Sequence, residues 1–497
     1  MSQSASTTYK YSATSGIQHE EALLFEHAHE APSSVNLPGV DGDVPADLAA
    51  FSRSAAAGIP GLSEPETVRH YVRLSQWNHG IETGFYPLGS CTMKYNPRVN
   101  EQVVRLPGLC HIHPDQPDDT VQGALELLYE LQQWLCEIAG FSNITLQPAA
   151  GAHGELTGLM MIRAALDARG QQHRKKVLVP DSAHGTNPAS AALCGMYTVE
   201  LKSGADGRID LNELRANLDD DTAALMMTNP NTAGAFESNV KEICSLVHEA
   251  GGFVYGDGAN LNALVGVARP GDMGIDCLHI NVHKTFATPH GGGGPGGGPV
   301  AVNDRLAPYL PVPRIEKNGD VFSVLHASDT SIGSVLGAIG QTGVLLRASA
   351  YIAAFGRNHL HKIAEDAVLN ANYVLSRLKD AYHVPFDGLC KHECLLTDAL
   401  QEKHGVKTLD IAKQLIDLGF HPMTIYFPLI VHGAMLIEPT ETESRETLDA
   451  FCDAMLEIAA QCEAGDTDIL HEAPIKPFRR RLDETQAARK PVLVWPN

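Results

Sequence analysis

No stretch of this chain approaches the ~20 uninterrupted apolar residues that a membrane-crossing helix needs. The N-terminus carries no long apolar run of the secretory type, so the expected compartment is the cytoplasm. The ten cysteines are scattered without repeated C-x-x-C pairs, which fits a reducing environment and gives no metal-ligand pattern. Basic residues are in short supply: 37 Lys and Arg face 59 Asp and Glu, a net charge of −22. That balance argues against nonspecific binding to nucleic acid or to an anionic membrane. The pattern G-x-x-x-x-G-K-[ST] is missing, so a nucleotide P-loop is not expected. No internal repeat is evident.

What remains is a globular composition. With 497 residues, 44% of them hydrophobic and 19% charged, the chain can bury a large core and is expected to form two or more domains. Met1 to Gln18 is rich in Ser and Thr and reads as a mobile tail. Between Glu20 and Tyr86, helical stretches are punctuated by Pro and Gly; Ser63 is placed to cap a helix with Pro65 in its first turn. The middle alternates helices with short apolar strands: 176–179, 223–227, 253–255, 278–282 and 299–302. Such alternation predicts an α/β fold with a parallel sheet covered on both faces. A long alanine-rich helical run is predicted over 337–378, followed by a smaller α+β unit. The expected division is a tail and arm (1–86), a large domain (87–345), a small domain (346–470) and a C-terminal tail (471–497).

The chemistry concentrates at strand ends. The strand 252–255 runs into Asp257, and the next one, 278–282, into His283 and Lys284. A lysine amine to hold an aldehyde as a Schiff base, with an acid to keep a pyridine nitrogen protonated, is what pyridoxal 5′-phosphate requires. Open α/β sheets place ligands at such strand ends. A phosphate site needs small residues before a helix start, and Gln147 to Glu155 supplies them, with His153 just beyond the donors as a ring to stack on the cofactor; alone, the string also reads as an ordinary strand-to-helix turn with a surface histidine. Asp181 to Pro188, including His184, and Thr228 to Thr232 follow the neighbouring strands and can line the same crevice, although each alone also reads as an ordinary turn. The glycine tract 291–298 reads either as a flexible linker or as an ordered loop; Pro295 within it and the strand after it favour the loop. Aminotransferases and amino-acid decarboxylases of the same cofactor class would share the Asp and the Lys, and a noncatalytic scaffold would lack the Lys.

Longer strings narrow the choice. Phe85 to Pro97, which contains Ser90-Cys91-Thr92-Met93-Lys94, together with Gln147–Glu155, Asp181–Pro188, Thr228–Thr232, Asp257–Asn262, His283–Phe286, Pro289–Gly294, Phe427-Pro428 and Glu438–Ser444, resembles the P-protein of the glycine cleavage system. The resemblance runs from about Ser63 to Arg489, and is to the chain corresponding to the C-terminal half of the fused enzyme. It implies the fold-type I, aspartate-aminotransferase-like, pyridoxal-phosphate-dependent transferase fold, with a mostly parallel sheet and a smaller C-terminal α+β domain. The implied reaction is decarboxylation of glycine, with the aminomethyl group passing to the lipoyl arm of the H-protein. Implied partners are that H-protein and a homologous subunit lacking the lysine, in an α2β2 heterotetramer. By the same resemblance Lys284 carries the cofactor, Asp257 pairs with its ring nitrogen, His153 and Ala259 cover its two faces, and Gly151 and Ala152 donate to its phosphate. Thr92, Thr232 and His283 are implied neighbours. Ser90, Cys91, Thr92 and Lys94 are expected to border a channel for glycine and the lipoyl arm, along with the loop 289–298; Cys91 and Cys110 read either as sites of oxidative control or, the favoured reading, as buried structural thiols.

Overall fold

The computed structural model describes residues 21–26, 42, 45–55, 61–113, 116–183, 185–290, 296–477 and 479–494. The expected tail Met1 to Gln18, His184 and residues 291–295 of the glycine tract lie outside them. The described residues fall into two compact units, one within Met1–Thr83 and Lys476–Asn497, the other within Gly84–Ile475. No helix among them is long and apolar enough to cross a membrane.

In the first unit the helix Glu64–Ser75 starts as its sequence predicts. The Ser63 hydroxyl accepts the Glu66 N–H while the Glu66 carboxylate accepts the Ser63 N–H, and Pro65 occupies the first turn, where no intrahelical N–H is needed. Glu21 bridges the same helix, accepting from Arg73 at 2.5 and 2.6 Å and lying 2.9 Å from His70.

The second unit is built on a seven-stranded sheet: β1 (Asn143–Thr145), β2 (Lys176–Pro180), β3 (Tyr197–Leu201), β4 (Thr222–Thr228), β5 (Phe253–Gly258), β6 (Cys277–Ile280) and β7 (Val300–Val302). Its order is β1-β7-β6-β5-β4-β2-β3, parallel throughout except that β7 runs antiparallel to β1 and β6. Period-two alternation fixes which face each strand buries. Val177, Val179, Ala224, Met226, Phe253 and Tyr255 pack on Leu159, Ile162 and Leu166 of the helix Gly151–Ala168. Leu178, Leu225, Met227 and Val254 pack on Ile243 and Val247 of the helix Val240–Glu249. Helices therefore cover both faces, as the alternating pattern predicts. A hairpin, β8 (Arg314–Asn318) with β9 (Val321–Leu325), precedes the smaller antiparallel sheet of β10 (Cys394–Thr397), β11 (Thr424–Ile425) and β12 (Ala434–Ile437), ordered β10-β12-β11.

Three expectations change. The single run predicted over 337–378 is two helices, Thr342–Phe355 and Leu360–Leu378, because Gly356 takes φ 63° and stops the first. The strand predicted to reach Val282 ends at Ile280; Val282–Thr285 is one helical turn, so Lys284 stands on that turn and not at the strand end itself. Strands β1 and β3 escape sequence reading: one is three residues long, and the other carries the half-exposed Glu200 and Tyr197 of a sheet edge.

Close backbone approach between β5 and β6 demands a glycine. A Cβ on Gly258 would lie 1.9 Å from the His279 carbonyl oxygen. Gly258→Ala is expected to destabilise the fold by about 3 kcal/mol or more, as overpacking at rigid backbone does; urea unfolding followed by circular dichroism measures it, and a wild-type midpoint would contradict the packing described.

Candidate active site

Parallel register carries three polar side chains to one place. Thr228 pairs with Asp257 across β4 and β5, and Asp257 with His279 across β5 and β6, all at the carboxyl ends of the strands. There a cleft opens. It is lined by Asp257 near the end of β5, by Ala259 and Asn260 just after it, by His279, Asn281, His283 and Lys284 around β6, and by Ser90 from the segment preceding the helix Arg98–Val104. Gly151, Ala152 and Glu155 from the start of a long helix, with Thr186, Thr228 and Thr232, complete it.

Lys284 points its amine at the cleft's other wall. Its Nζ donates to the Ser90 carbonyl at 2.7 Å. The Asp257 carboxylate is 4% exposed and is held from two sides: Oδ1 accepts the Ala259 N–H at 2.9 Å and lies 3.4 Å from His279 Nε2. Behind it the Tyr255 hydroxyl is 2.5 Å from His279 Nδ1. A phenol donating to Nδ1 leaves the proton on Nε2, the nitrogen facing Asp257. Tyr255 and Asp257 are two apart on β5 and share a face, the sequence signal by which this chain of contacts could have been found.

The helix Gly151–Ala168 has no side-chain N-cap, so its first N–H groups face the cleft without an intrahelical partner. Backbone crowding explains the small residues there. A Cβ on Gly151 would meet Asn281 Oδ1 at 2.6 Å, and one on Gly298 would meet the Ala150 carbonyl at 2.1 Å. His153 sits in the first turn, its Nδ1 accepting the Ala149 N–H at 3.1 Å, and is not among the lining residues. The Thr232 hydroxyl donates to the Ser182 carbonyl. His283 accepts from the Gly297 N–H at 3.4 Å and stands edge-on to His290 with ring centroids 5.3 Å apart. Burial, with His290 and Lys284 adding to it, pushes His283 down to about 3, so it is neutral across the physiological range.

Of the expected channel residues, Ser90 reaches the cleft and Cys91 is half-buried beside it. Burial raises the Cys91 thiol to about 11, which keeps it out of the thiolate form at neutral pH. Thr92 and Lys94 lie behind. The Thr92 N–H and hydroxyl donate to Glu438 at 2.8 and 2.6 Å, while Lys94 Nζ, 1% exposed, donates to Glu441, Asn262 and the Thr285 carbonyl at 2.6 to 2.8 Å. Lys94 thus ties the turn bearing Lys284 to the segment after β12. Cys110 is exposed on a separate short helix.

Glu155 is a cleft residue that the sequence did not single out. Its two oxygens accept the Thr186 hydroxyl at 2.8 and 2.9 Å, and burial, reinforced by the Asp257 charge, pushes its carboxyl up to about 8. A carboxyl raised above its unfolded value stabilises the fold at low pH and loses that contribution as pH rises from about 4.5 to 8. Glu155→Gln is therefore expected to raise the urea midpoint at pH 8 while leaving it near wild type at pH 4. Equal effects at both pH values would contradict the raised carboxyl.

The donor set fits pyridoxal 5′-phosphate. A lysine amine and a buried, hydrogen-bonded carboxylate share one cleft with an uncapped helix N-terminus. Thr228 Oγ1, buried on the cleft wall, has no hydrogen-bond partner among the described residues and faces the space a ligand would fill. Comparison with known proteins agrees. The solved structure of a glycine decarboxylase (P-protein) of the glycine cleavage system, in inhibitor-bound form, superposes with a TM-score of 0.69 at 20% identity, covering 84% of this chain and 93% of that one. A NifS-like protein superposes at 0.56 with 14% identity, covering 76% and 100%, so this chain shares the fold of both. Residues 39–316 match the glycine cleavage system P-protein model, and 363–474 match that of the glycine dehydrogenase C-terminal domain. The probable glycine dehydrogenase (decarboxylating) subunit 2 of Caulobacter vibrioides is 54% identical over 97% of this chain and 93% of its own length; that of Listeria monocytogenes is 53% identical over 95% and 98%. The chain belongs to the glycine cleavage system P-protein family.

Proposed function

We propose that this chain is the cofactor-bearing subunit of a glycine decarboxylase that releases carbon dioxide and passes the remaining aminomethyl group to the lipoyl arm of the H-protein. The observation that carries the reading is the meeting of Lys284 and Asp257 in one cleft beside the uncapped start of Gly151–Ala168. When bound, pyridoxal phosphate supplies an aldehyde for the amine of glycine and a protonated ring that draws off electrons as the carboxylate leaves. Lys284 provides the anchoring amine that glycine displaces. Asp257 holds a proton at the ring nitrogen through a charge-assisted hydrogen bond, its own orientation fixed by the Ala259 N–H and His279. The N–H groups of Gly151 and Ala152 would take the phosphate. Thr228, Thr232 and His283 would hold the rest of the cofactor, with His153 and Ala259 assigned to its ring. Ser90 and Cys91 border the entry of glycine and the lipoyl arm, and this wall limits access of water to the reacting carbon.

The name subunit 2 carried by the relatives supports a two-subunit enzyme, and we assign this chain a homologous partner without the lysine, in an α2β2 assembly in the cytoplasm. Val68, Tyr71 and Val72 on the helix Glu64–Ser75 are about half exposed, apolar surface of the kind a neighbouring subunit would cover. The test is reconstitution. Exchange of labelled bicarbonate into glycine is expected only when this chain, the non-lysine subunit and lipoylated H-protein are combined. Full exchange by this chain without its partner subunit contradicts the assembly, and failure of the complete mixture contradicts the activity.

A further inference from the structure

Behind the Lys284 cleft lie three fully buried ionisable groups, His392, Glu393 and Glu438, that the reading above does not use. The two carboxylates come from the strands of the small sheet: Glu393 stands just before β10 and Glu438 just after β12. Both grip the turn 90–92. Glu393 Oε2 accepts the Ser90 N–H at 2.7 Å, and Glu438 accepts the N–H and the hydroxyl of Thr92. That turn is strained, since Ser90 and Thr92 take φ 64° and 51°, a region that a β-branched residue rarely occupies. Its Ser90 carbonyl is the acceptor for Lys284 Nζ.

The charges differ within the pair. Both oxygens of Glu438 are acceptors, the bonding expected of a carboxylate, with the cations of Lys94 and Lys284 acting on it. Among the described residues Glu393 Oε1 is buried with no hydrogen-bond partner, which disfavours a charge on that oxygen. His392 offers no counter-charge: among the described residues neither ring nitrogen has a hydrogen-bond partner, and burial, with Lys284, pushes the imidazole down to about 3. Its Nε2 lies 3.9 Å from Glu393 and 3.8 Å from Glu438. The neighbouring thiols Cys91, Cys390 and Cys394 are held neutral by burial. Burial raises Glu438 to about 7, and burial with the Glu438 charge carries Glu393 well above the carboxylate range.

We propose that Glu393 and Glu438 are positioning residues for the Lys284 amine, sharing one proton at neutral pH, with Glu438 ionised and Glu393 the acid, and pinning the left-handed turn whose Ser90 carbonyl receives that amine. Two like carboxyls buried together titrate as a pair, and one proton between them removes the repulsion that would open the turn. The proposal rests on Lys284 as the cofactor-bearing residue, and its test separates the two claims.

The first arm is infrared difference spectroscopy on the full, cofactor-free chain, wild type minus Glu393→Gln, at neutral pH. A carboxylic-acid C=O band that shifts on deuteration is expected in the difference, because glutamine retains an acceptor for the Ser90 N–H but carries no acid proton. Should that variant not fold, Glu393→Asp keeps the acid and is expected to move the band. The second arm is the pH midpoint of the visible band of the cofactor-loaded chain. Glu438→Gln, which turns one of the two oxygens that accept from Thr92 into an NH2 donor and removes the charge, is expected to shift it by about one unit, and Glu438→Asp to restore part of the shift. Absence of the acid band, with both groups ionised or with a stoichiometric metal found by elemental analysis, overturns the shared proton. An acid band with an unmoved midpoint in Glu438→Gln overturns the positioning role. A wild-type chain that takes up no cofactor at Lys284 fails the functional reading and leaves the infrared result standing.

Discussion

Lys284→Ala is expected to lower exchange of labelled bicarbonate into glycine by at least about 10³-fold in the reconstituted enzyme, the scale on which loss of a covalent group acts. Among the described residues the side chain makes one hydrogen bond, to the Ser90 carbonyl on the cleft wall, so its removal should leave the sheet and the helices around it folded. The variant is expected to unfold in urea near the wild-type midpoint. Normal exchange in Lys284→Ala would remove the amine from the account.

Asp257→Asn has the second largest expected effect. The amide preserves shape and can still accept the Ala259 N–H, but it carries no charge to hold a proton on a pyridine nitrogen. A loss of about 10²- to 10⁴-fold in exchange rate is expected, with weaker retention of cofactor on dialysis. Tyr255→Phe, which removes only the bond behind His279, is expected to cost less than Asp257→Asn. If the two variants were equally impaired, the proton on the ring would depend on the relay as a whole and not on the carboxylate.

Much of this site was legible before folding because its main groups follow apolar strands. The strand β5 with Asp257, and Thr228 after the apolar run of β4, announce themselves by local pattern, and parallel register then sets them side by side. The uncapped helix start at Gly151 was legible for the same reason, since small residues precede an apolar helical period. What stayed hidden depends on distance along the chain. Ser90 meets Glu393 across 303 residues and Thr92 meets Glu438 across 346, separations over which no periodicity carries information. Lys94 read as a channel residue because it belongs to the family-like string Ser90–Lys94, yet folding buries it against Glu441, and the burial lowers its proton affinity. Glu155 was passed over because one carboxylate in a helix's first turn is ordinary; its neighbours Thr186 and Asp257 make it unusual. The break at Gly356 was obscured by the alanine-rich composition around it, which favours helix on both sides.

The most direct test of the central claim, that Lys284 is the residue that takes the cofactor, is reduction of the loaded chain with borohydride followed by peptide mapping. The visible band is expected to bleach, and a single pyridoxyl-modified peptide is expected, carrying the group on Lys284. Modification of Lys94 or any other lysine in its place, with Lys284 recovered unmodified, would contradict it.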